Sequence, residues 1–166
     1  MSKIVILEGP DATGKTTFAE LLVQQGYIYH HEGVPPKNIN LVEYYRRQLL
    51  DAKRSLQNHV FDRHFLGQLV YGPVFRGCCV NVDDLLRICL EWDVQLILFN
   101  TSWKSQLKIW SNRQEQEGIK NLDLLKECYD RWIALQKAYP YLPVFDYTKD
   151  STLDLLLSCQ RGENVS

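Results

Sequence analysis

The sequence predicts an α/β domain built on a five-stranded parallel sheet with helices on both faces. Three observations carry that prediction. Short apolar, partly β-branched runs alternate along the chain with longer stretches of helical periodicity. The first apolar run leads directly into Gly9-Pro10-Asp11-Ala12-Thr13-Gly14-Lys15-Thr16, which fits the phosphate-binding pattern G-x-x-x-x-G-K-[ST] without a mismatch. Further on, Val94-Gln95-Leu96-Ile97-Leu98-Phe99 is almost continuously apolar, as expected of a strand covered on both sides.

The elements follow in order. Residues 3–7 form the first strand, and Thr17-Phe18-Ala19-Glu20-Leu21-Leu22-Val23 opens a helix immediately after the loop. Residues 27–30 read as a second strand and residues 58–62 as a short third. Between them, residues 40–56 place Leu41, Tyr44, Tyr45, Gln48, Leu49 and Ala52 on one helical face. Residues 82–92 form a helix with Asn81 as cap and Asp83-Asp84 in its first turn. Residues 94–99 are the fourth strand, and residues 102–113 and 121–138 are two more helices, the second stopped by Pro140. Residues 144–147 are the fifth strand. Ser151 caps a last helix over residues 152–159, and residues 162–166 read as a frayed tail.

Composition narrows the function. A chain of 166 residues, 45% apolar and 23% charged, suits one globular domain spanning residues 1–166. A net charge of −1 does not favour long duplex DNA or RNA as a partner. No apolar run approaches the roughly 18 residues of a membrane span, and no leader is expected before the first strand. Five cysteines, two of them adjacent at Cys78-Cys79, have no metal-like spacing and read as reduced thiols, mostly core filler, in a cytoplasmic protein.

The loop supplies the first chemistry. Its glycines let backbone amides converge on an anion, and the helix that follows adds its positive dipole end. Gly9, Pro10, Asp11, Ala12, Thr13, Gly14, Lys15, Thr16 and Thr17 are therefore the expected nucleotide-phosphate contacts. Lys15 is placed to reach β- and γ-phosphates, and the Thr16 hydroxyl to ligate Mg2+. The third strand ends in Phe61-Asp62-Arg63-His64. An acidic residue there is where such a loop holds Mg2+, often through water, while Arg63 offers a planar fork for a second phosphate. A strand-end Asp and Arg paired on the surface is the other reading of the same two residues.

Together, Glu8 through Thr17 and the segment Asp62-Arg63-His64-Phe65-Leu66-Gly67-Gln68-Leu69-Val70-Tyr71-Gly72 resemble thymidylate kinase and related viral and bacterial deoxynucleoside monophosphate kinases. The resemblance extends weakly over most of the chain. It implies a P-loop nucleoside monophosphate kinase fold, transfer of the γ-phosphoryl of Mg-ATP to a deoxynucleoside 5′-monophosphate, and a cytoplasmic setting in a bacterium or a virus-infected host cell. It also implies roles at matching positions. Lys15 and Thr16 hold the donor phosphates and Mg2+, Asp11 lies near the acceptor 3′-hydroxyl, and Asp62 orients Mg2+ and water. Arg63 clamps the acceptor phosphate, Gln68 bonds the acceptor base, and Tyr71 packs under the sugar and disfavours a 2′-hydroxyl. An amphipathic helix with a core tyrosine explains Gln68 and Tyr71 equally. Thymine is the first base implied, with guanine or a modified pyrimidine next. A homodimer is implied too, for which Trp92, Trp103 and Trp110 would supply surface, although core positions explain them as well.

The chain departs from that pattern in several places. Gly67 stands where serine is usual, and the stretch between the loop and Asp62 is short. The base-stacking Phe and base-reading Arg have no clear match; Tyr44, Tyr45, Arg46 and Arg47 lie in that neighbourhood, with Tyr44 and Arg47 as candidate acceptor contacts. Ala12 occupies the position where some members carry an arginine in the loop. Phosphoryl transfer needs positive charge on the migrating group, so the polar stretch from Asn112 to Lys120 is the expected lid, with Arg113 as transition-state cation and Lys120 and Arg131 behind it. A solvated helix–helix loop is the other reading. His30-His31-Glu32 resembles a metal cluster only in composition, since neighbours on an extended segment point alternately. Gly33-Val34-Pro35-Pro36 reads as a rigid loop near the acceptor. A nucleoside or polynucleotide 5′-hydroxyl kinase, with Asp62 or Glu32 as base, is the enzymatic alternative. A nucleotide switch or an idle binding protein is the non-enzymatic one. The sequence after the fourth strand, Asn100-Thr101-Ser102-Trp103, does not fit the guanine-reading motif of GTPases.

Overall fold

The five parallel strands lie in the order β2-β3-β1-β4-β5, which puts the strand that feeds the phosphate-binding loop at the centre. The structure is a computed structural model that describes residues 2–112 and 121–163. Its elements are β1 (Ile4–Glu8), α1 (Lys15–Gln24), β2 (Tyr27–His31), α2 (Leu41–Arg54), β3 (Asn58–Asp62), α3 (Gly67–Arg76), α4 (Asp83–Glu91), β4 (Gln95–Phe99), α5 (Trp103–Asn112), α6 (Leu122–Ala138), β5 (Val144–Phe145) and α7 (Thr152–Arg161). β1 pairs in parallel with both β3 and β4, and the register Leu7↔Asp62 sets the loop's entry beside the end of β3.

Alternation along the strands divides the core. Ile4, Ile6, Phe61, Leu96 and Leu98 face α2, α3, α4 and α6, while Val5, Leu7, Val60, Ile97 and Phe99 face α1 and α7. Helices therefore cover both faces, which is why β1 and β4 are buried along their whole length. Such a sheet leaves its ligand crevice at the carboxyl ends of the strands, beside the order reversal at β1.

Side chains cap three helices, of which the sequence marked Ser151. The Asn40 side chain accepts from Glu43 N at the start of α2, Asn121 caps α6, and Ser151 caps α7. Asn81 accepts from Asp83 N at 2.9 Å, although the capping position itself is Val82.

The helix the sequence marked most weakly is α3, raised there only as one reading of Gln68 and Tyr71. Gly67, Gly72 and Pro73 are poor helix formers, so its periodicity is weak, yet packing against α6 holds it. Gly72 is needed at close quarters: a Cβ there would sit 2.8 Å from the carbonyl oxygen of Cys78. The fifth strand is shorter than expected, ending at Phe145 because Asp146 turns back to cap Thr148. Trp92, Trp103 and Trp110 are half-buried against the main core. Cys89, Cys128 and Cys159 are core residues whose thiols burial pushes up to about 12, whereas Cys78 is half-buried and Cys79 exposed.

Candidate active site

The phosphate-binding loop is built by three left-handed backbone turns. Gly9 has φ 135°, and a Cβ there would meet the Phe99 carbonyl oxygen at 2.0 Å, so only glycine fits against β4. Ala12 has φ 63° and Gly14 φ 86°. Gly14 is the N-cap of α1 and offers no side-chain cap, which leaves the first amides of the helix turned toward an incoming anion. The Thr13 hydroxyl donates to Pro10 O at 2.9 Å and stiffens the turn.

Lys15 is almost fully buried and folds its ammonium onto the loop's own Gly9 and Pro10 carbonyls. Burial pushes its pKa down to about 8, and the nearby Arg63 charge acts in the same direction. A phosphate brought to the loop would compete for that ammonium and restore its charge. The next residue faces β3: the Thr16 hydroxyl donates to Asp62 Oδ2 at 2.6 Å. Asp62 Oδ2 also accepts from the Tyr29 hydroxyl at 3.1 Å, and Asp62 Oδ1 is buried without a hydrogen-bond partner. Two oxygen ligands at this spacing beside an anion-binding loop fit Mg2+, a hard cation that takes oxygen donors and keeps its waters. The cavity over the loop, about 80 Å³, is lined by Asp11 through Thr17 with Asp62 and Arg63.

Asp11 and Arg63 also line a second and larger cavity of about 360 Å³. They are salt-bridged to each other, so one ion pair separates the two spaces. Arg63 adopts φ 72°, an unusual conformation for a side-chain-bearing residue that its N–H to Leu7 O bond helps hold. Burial opposes its charge, but the Asp11 carboxylate leads a set of neighbours that raise its pKa overall. The rest of the cavity comes from the β2 exit, with Glu32, Gly33, Val34 and Pro35, and from α3, with Gly67, Gln68, Tyr71, Phe75 and Arg76. Gln68 donates to the Tyr45 hydroxyl at 2.7 Å and accepts from Arg76. Tyr71 accepts from Trp132 Nε1 at 3.3 Å, and burial followed by the Asp11 charge raises its pKa.

The structure thus brings Asp11, Arg63, Gln68 and Tyr71 to one cavity and Thr16 to Asp62. Two expected acceptor contacts fall elsewhere. Arg47 is exposed, because it lies about 200° round the helix from the buried Tyr45. Tyr44 is outside the cavity lining and acts through Glu32, whose carboxylate takes the Tyr44 hydroxyl at 3.1 Å and Gln48 Nε2 at 2.7 Å. Arg113, Lys120 and most of the expected lid lie outside the described residues. Arg131 pairs with Glu127 on the surface of α6. His30, His31 and Glu32 diverge as alternation requires: His30 meets His59, His31 lies 3.7 Å from Asp62, and Glu32 faces α2. Tyr147, just after β5, packs beside Gly14.

Three site features escaped the sequence reading. Glu8 is fully buried at the end of β1, where a carboxylate closing an otherwise apolar strand was the available signal. Arg76 lies eight residues beyond Gln68 on α3, a helix marked weakly because of its glycines and proline. His64 is buried among Tyr45, Phe61 and Phe65, and burial drives its pKa down to about 3, so the ring is neutral.

No protein-family model and no curated protein sequence matches the chain. Solved structures do resemble it. The YorR protein from Bacillus subtilis, in complex with phosphorylated GDP, superposes with a TM-score of 0.73 at 18% identity, covering 98% of this chain and 100% of that one. Deoxyadenosine kinase from M. mycoides, with the products dCMP and a flexible dCDP bound, gives 0.59 at 18% identity over 95% of this chain and 98% of that one. Thymidylate kinase from Candida albicans gives 0.61 at 11% identity over 99% and 95%. At these identities the likeness is one of architecture, and the chain has the α/β fold of the P-loop kinases.

Proposed function

We propose that this protein transfers the γ-phosphoryl of Mg-ATP to a deoxynucleoside 5′-monophosphate, with dTMP as the first acceptor to try. The observation that carries this reading is the pair of adjoining cavities with Asp11 and Arg63 at their boundary. A kinase for a phosphorylated acceptor needs such an arrangement: one anion site for the donor, a second cation for the acceptor phosphate, and a short path between them.

In this reading the loop amides and Lys15 hold the donor phosphates, and Thr16 and Asp62 hold Mg2+. That ion, when bound, would offset charge on the transferring phosphoryl group. Arg63 exchanges its Asp11 partner for the acceptor phosphate, which frees Asp11 to accept from the sugar 3′-hydroxyl. Tyr71 closes the space under the sugar, and Gln68, fixed between Tyr45 and Arg76, bonds the base. Arg113 is the candidate cation for the transition state. Alignment and charge neutralisation then account for the catalysis, with no covalent intermediate.

Glu32 favours one other acceptor class. Its carboxylate lines the acceptor cavity and is oriented by Tyr44 and Gln48, as a general base for a nucleoside 5′-hydroxyl would be. ADP formation from Mg-ATP against dTMP, dUMP, dGMP, dAMP, dCMP, their ribose forms, thymidine and a 5′-hydroxyl oligonucleotide separates these readings. Turnover on a monophosphate supports the proposal. Turnover on thymidine alone moves the acceptor and makes Glu32 the base. ADP release indifferent to every acceptor overturns both.

A further inference from the structure

Glu8 sits between the phosphate-binding loop and the segment that carries Arg63, and neither the loop motif nor the proposed chemistry uses it. Its carboxylate is fully buried and accepts from the backbone N–H of His64 at 3.1 Å and of Leu66 at 2.8 Å. These amides belong to the turn between β3 and α3, just before the helix that Leu66 N-caps without a side-chain bond. A carboxylate from β1 therefore pins the residues immediately after Arg63 to the central strand. Both bonds go to Oε1, the Gly67 N–H also favours the charged form, and Oε2 is buried without a hydrogen-bond partner. Gly67 is placed to supply one: a Cβ there would lie 3.6 Å from Oε2 and 3.4 Å from the Tyr71 ring, ordinary contact distances.

We propose that Glu8 is a positioning residue, which holds Arg63 for the acceptor phosphate only while its carboxyl is ionised. This rests on the kinase reading above, in which Arg63 binds that phosphate. Protonation removes the charge that favours the two amides and places a hydroxyl where there is no acceptor. Burial raises the Glu8 pKa to about 7, so the change falls in the working range. The titratable groups around it are Lys15 from α1, Arg63 and His64 after β3, Tyr45 from α2, Tyr71 from α3 and Cys89 from α4. His64, Tyr45, Tyr71 and Cys89 are shifted so as to stay neutral. Lys15 titrates close by, so the wild-type profile alone does not identify Glu8; the variants do.

The test is the acceptor KM against pH in wild type, Glu8→Gln, Gly67→Ser and the double variant. In wild type the acceptor KM should rise as pH falls through about 7 while the ATP KM does not follow. Glu8→Gln should raise the acceptor KM about tenfold at high pH and flatten its pH dependence. Gly67→Ser, whose hydroxyl can donate to Oε2, should move the midpoint to lower pH, and the double variant should lose that shift. A wild-type profile retained in Glu8→Gln, or an unmoved midpoint in Gly67→Ser, overturns the proposal; if Glu8→Gln does not fold, Gly67→Ser decides alone. Absence of turnover with every monophosphate overturns the kinase reading instead. The hold is then read by NMR: a Leu66 amide signal that titrates with the Glu8 carboxyl and is displaced by inorganic phosphate supports it, and an invariant signal overturns it.

Discussion

The Thr16 hydroxyl and the Asp62 carboxylate are hydrogen-bonded at 2.6 Å across 46 residues of sequence. That bond joins the start of α1 to the end of β3 through the register of β1, and it sets the spacing of the two oxygens proposed to hold Mg2+. Removing either partner should therefore weaken Mg2+ binding before it weakens the fold. Thr16→Ala and Asp62→Asn are expected to raise the free Mg2+ needed for half-maximal turnover by about 10- to 100-fold. Titrations of rate against free Mg2+, beside thermal melts, check this; an unchanged requirement would remove the metal assignment.

Lys15 is held at a pKa of about 8 by burial among the loop carbonyls. ATP phosphates should restore its charge, so binding near pH 8 should take up a proton, visible in calorimetry as a dependence on the buffer's ionisation heat. Lys15→Ala should abolish that uptake and lower kcat by at least about 10²-fold with the fold intact.

Arg63→Ala should raise the acceptor KM and lower kcat, reducing kcat/KM by about 10²-fold with little effect on ATP affinity. Steady-state kinetics varying each substrate in turn distinguish this from an equal loss of ATP binding, which would place Arg63 with the donor.

Tyr71 offers two separable changes. Tyr71→Phe removes only the hydroxyl that accepts from Trp132 and should cost about 1 kcal/mol of stability without altering sugar preference. Tyr71→Ala enlarges the cavity that Tyr71 lines and, if the sugar is bound there as proposed, should narrow the ratio of kcat/KM for deoxyribo- over ribonucleotides. An unaltered ratio in the alanine variant would sink the sugar-gate role.

Two buried groups set opposite pH trends. The His64 pKa is lowered from 6.5 to about 3, so the unfolded chain binds its proton first and stability is lost as pH falls through that window. The Glu8 pKa is raised from 4.5 to about 7, so its contribution is present at low pH and is lost as pH rises between those values. Each unit is worth about 1.4 kcal/mol. His64→Phe should shift acid unfolding, followed by circular dichroism, to lower pH.

Much of the architecture was written in local pattern. The loop at Gly9–Thr16, the alternation of strand and helix, and the cap at Ser151 are short-range signals, and each element they marked is present. Asp62 and Arg63 were legible for the same reason, because they end a strand that must lie beside β1. What tertiary structure decided were contacts between distant segments. Only packing on α6 settles α3, against the propensity of Gly67, Gly72 and Pro73, and with it the Gln68–Arg76 contact. Only the sheet order brings Glu8 under the amides of His64 and Leu66. Residues 44 and 47 share a helix with Tyr45, but that neither lines the cavity depends on which face α2 turns to the core. Periodicity gives the angles between side chains, and the fold alone gives the direction of the whole set.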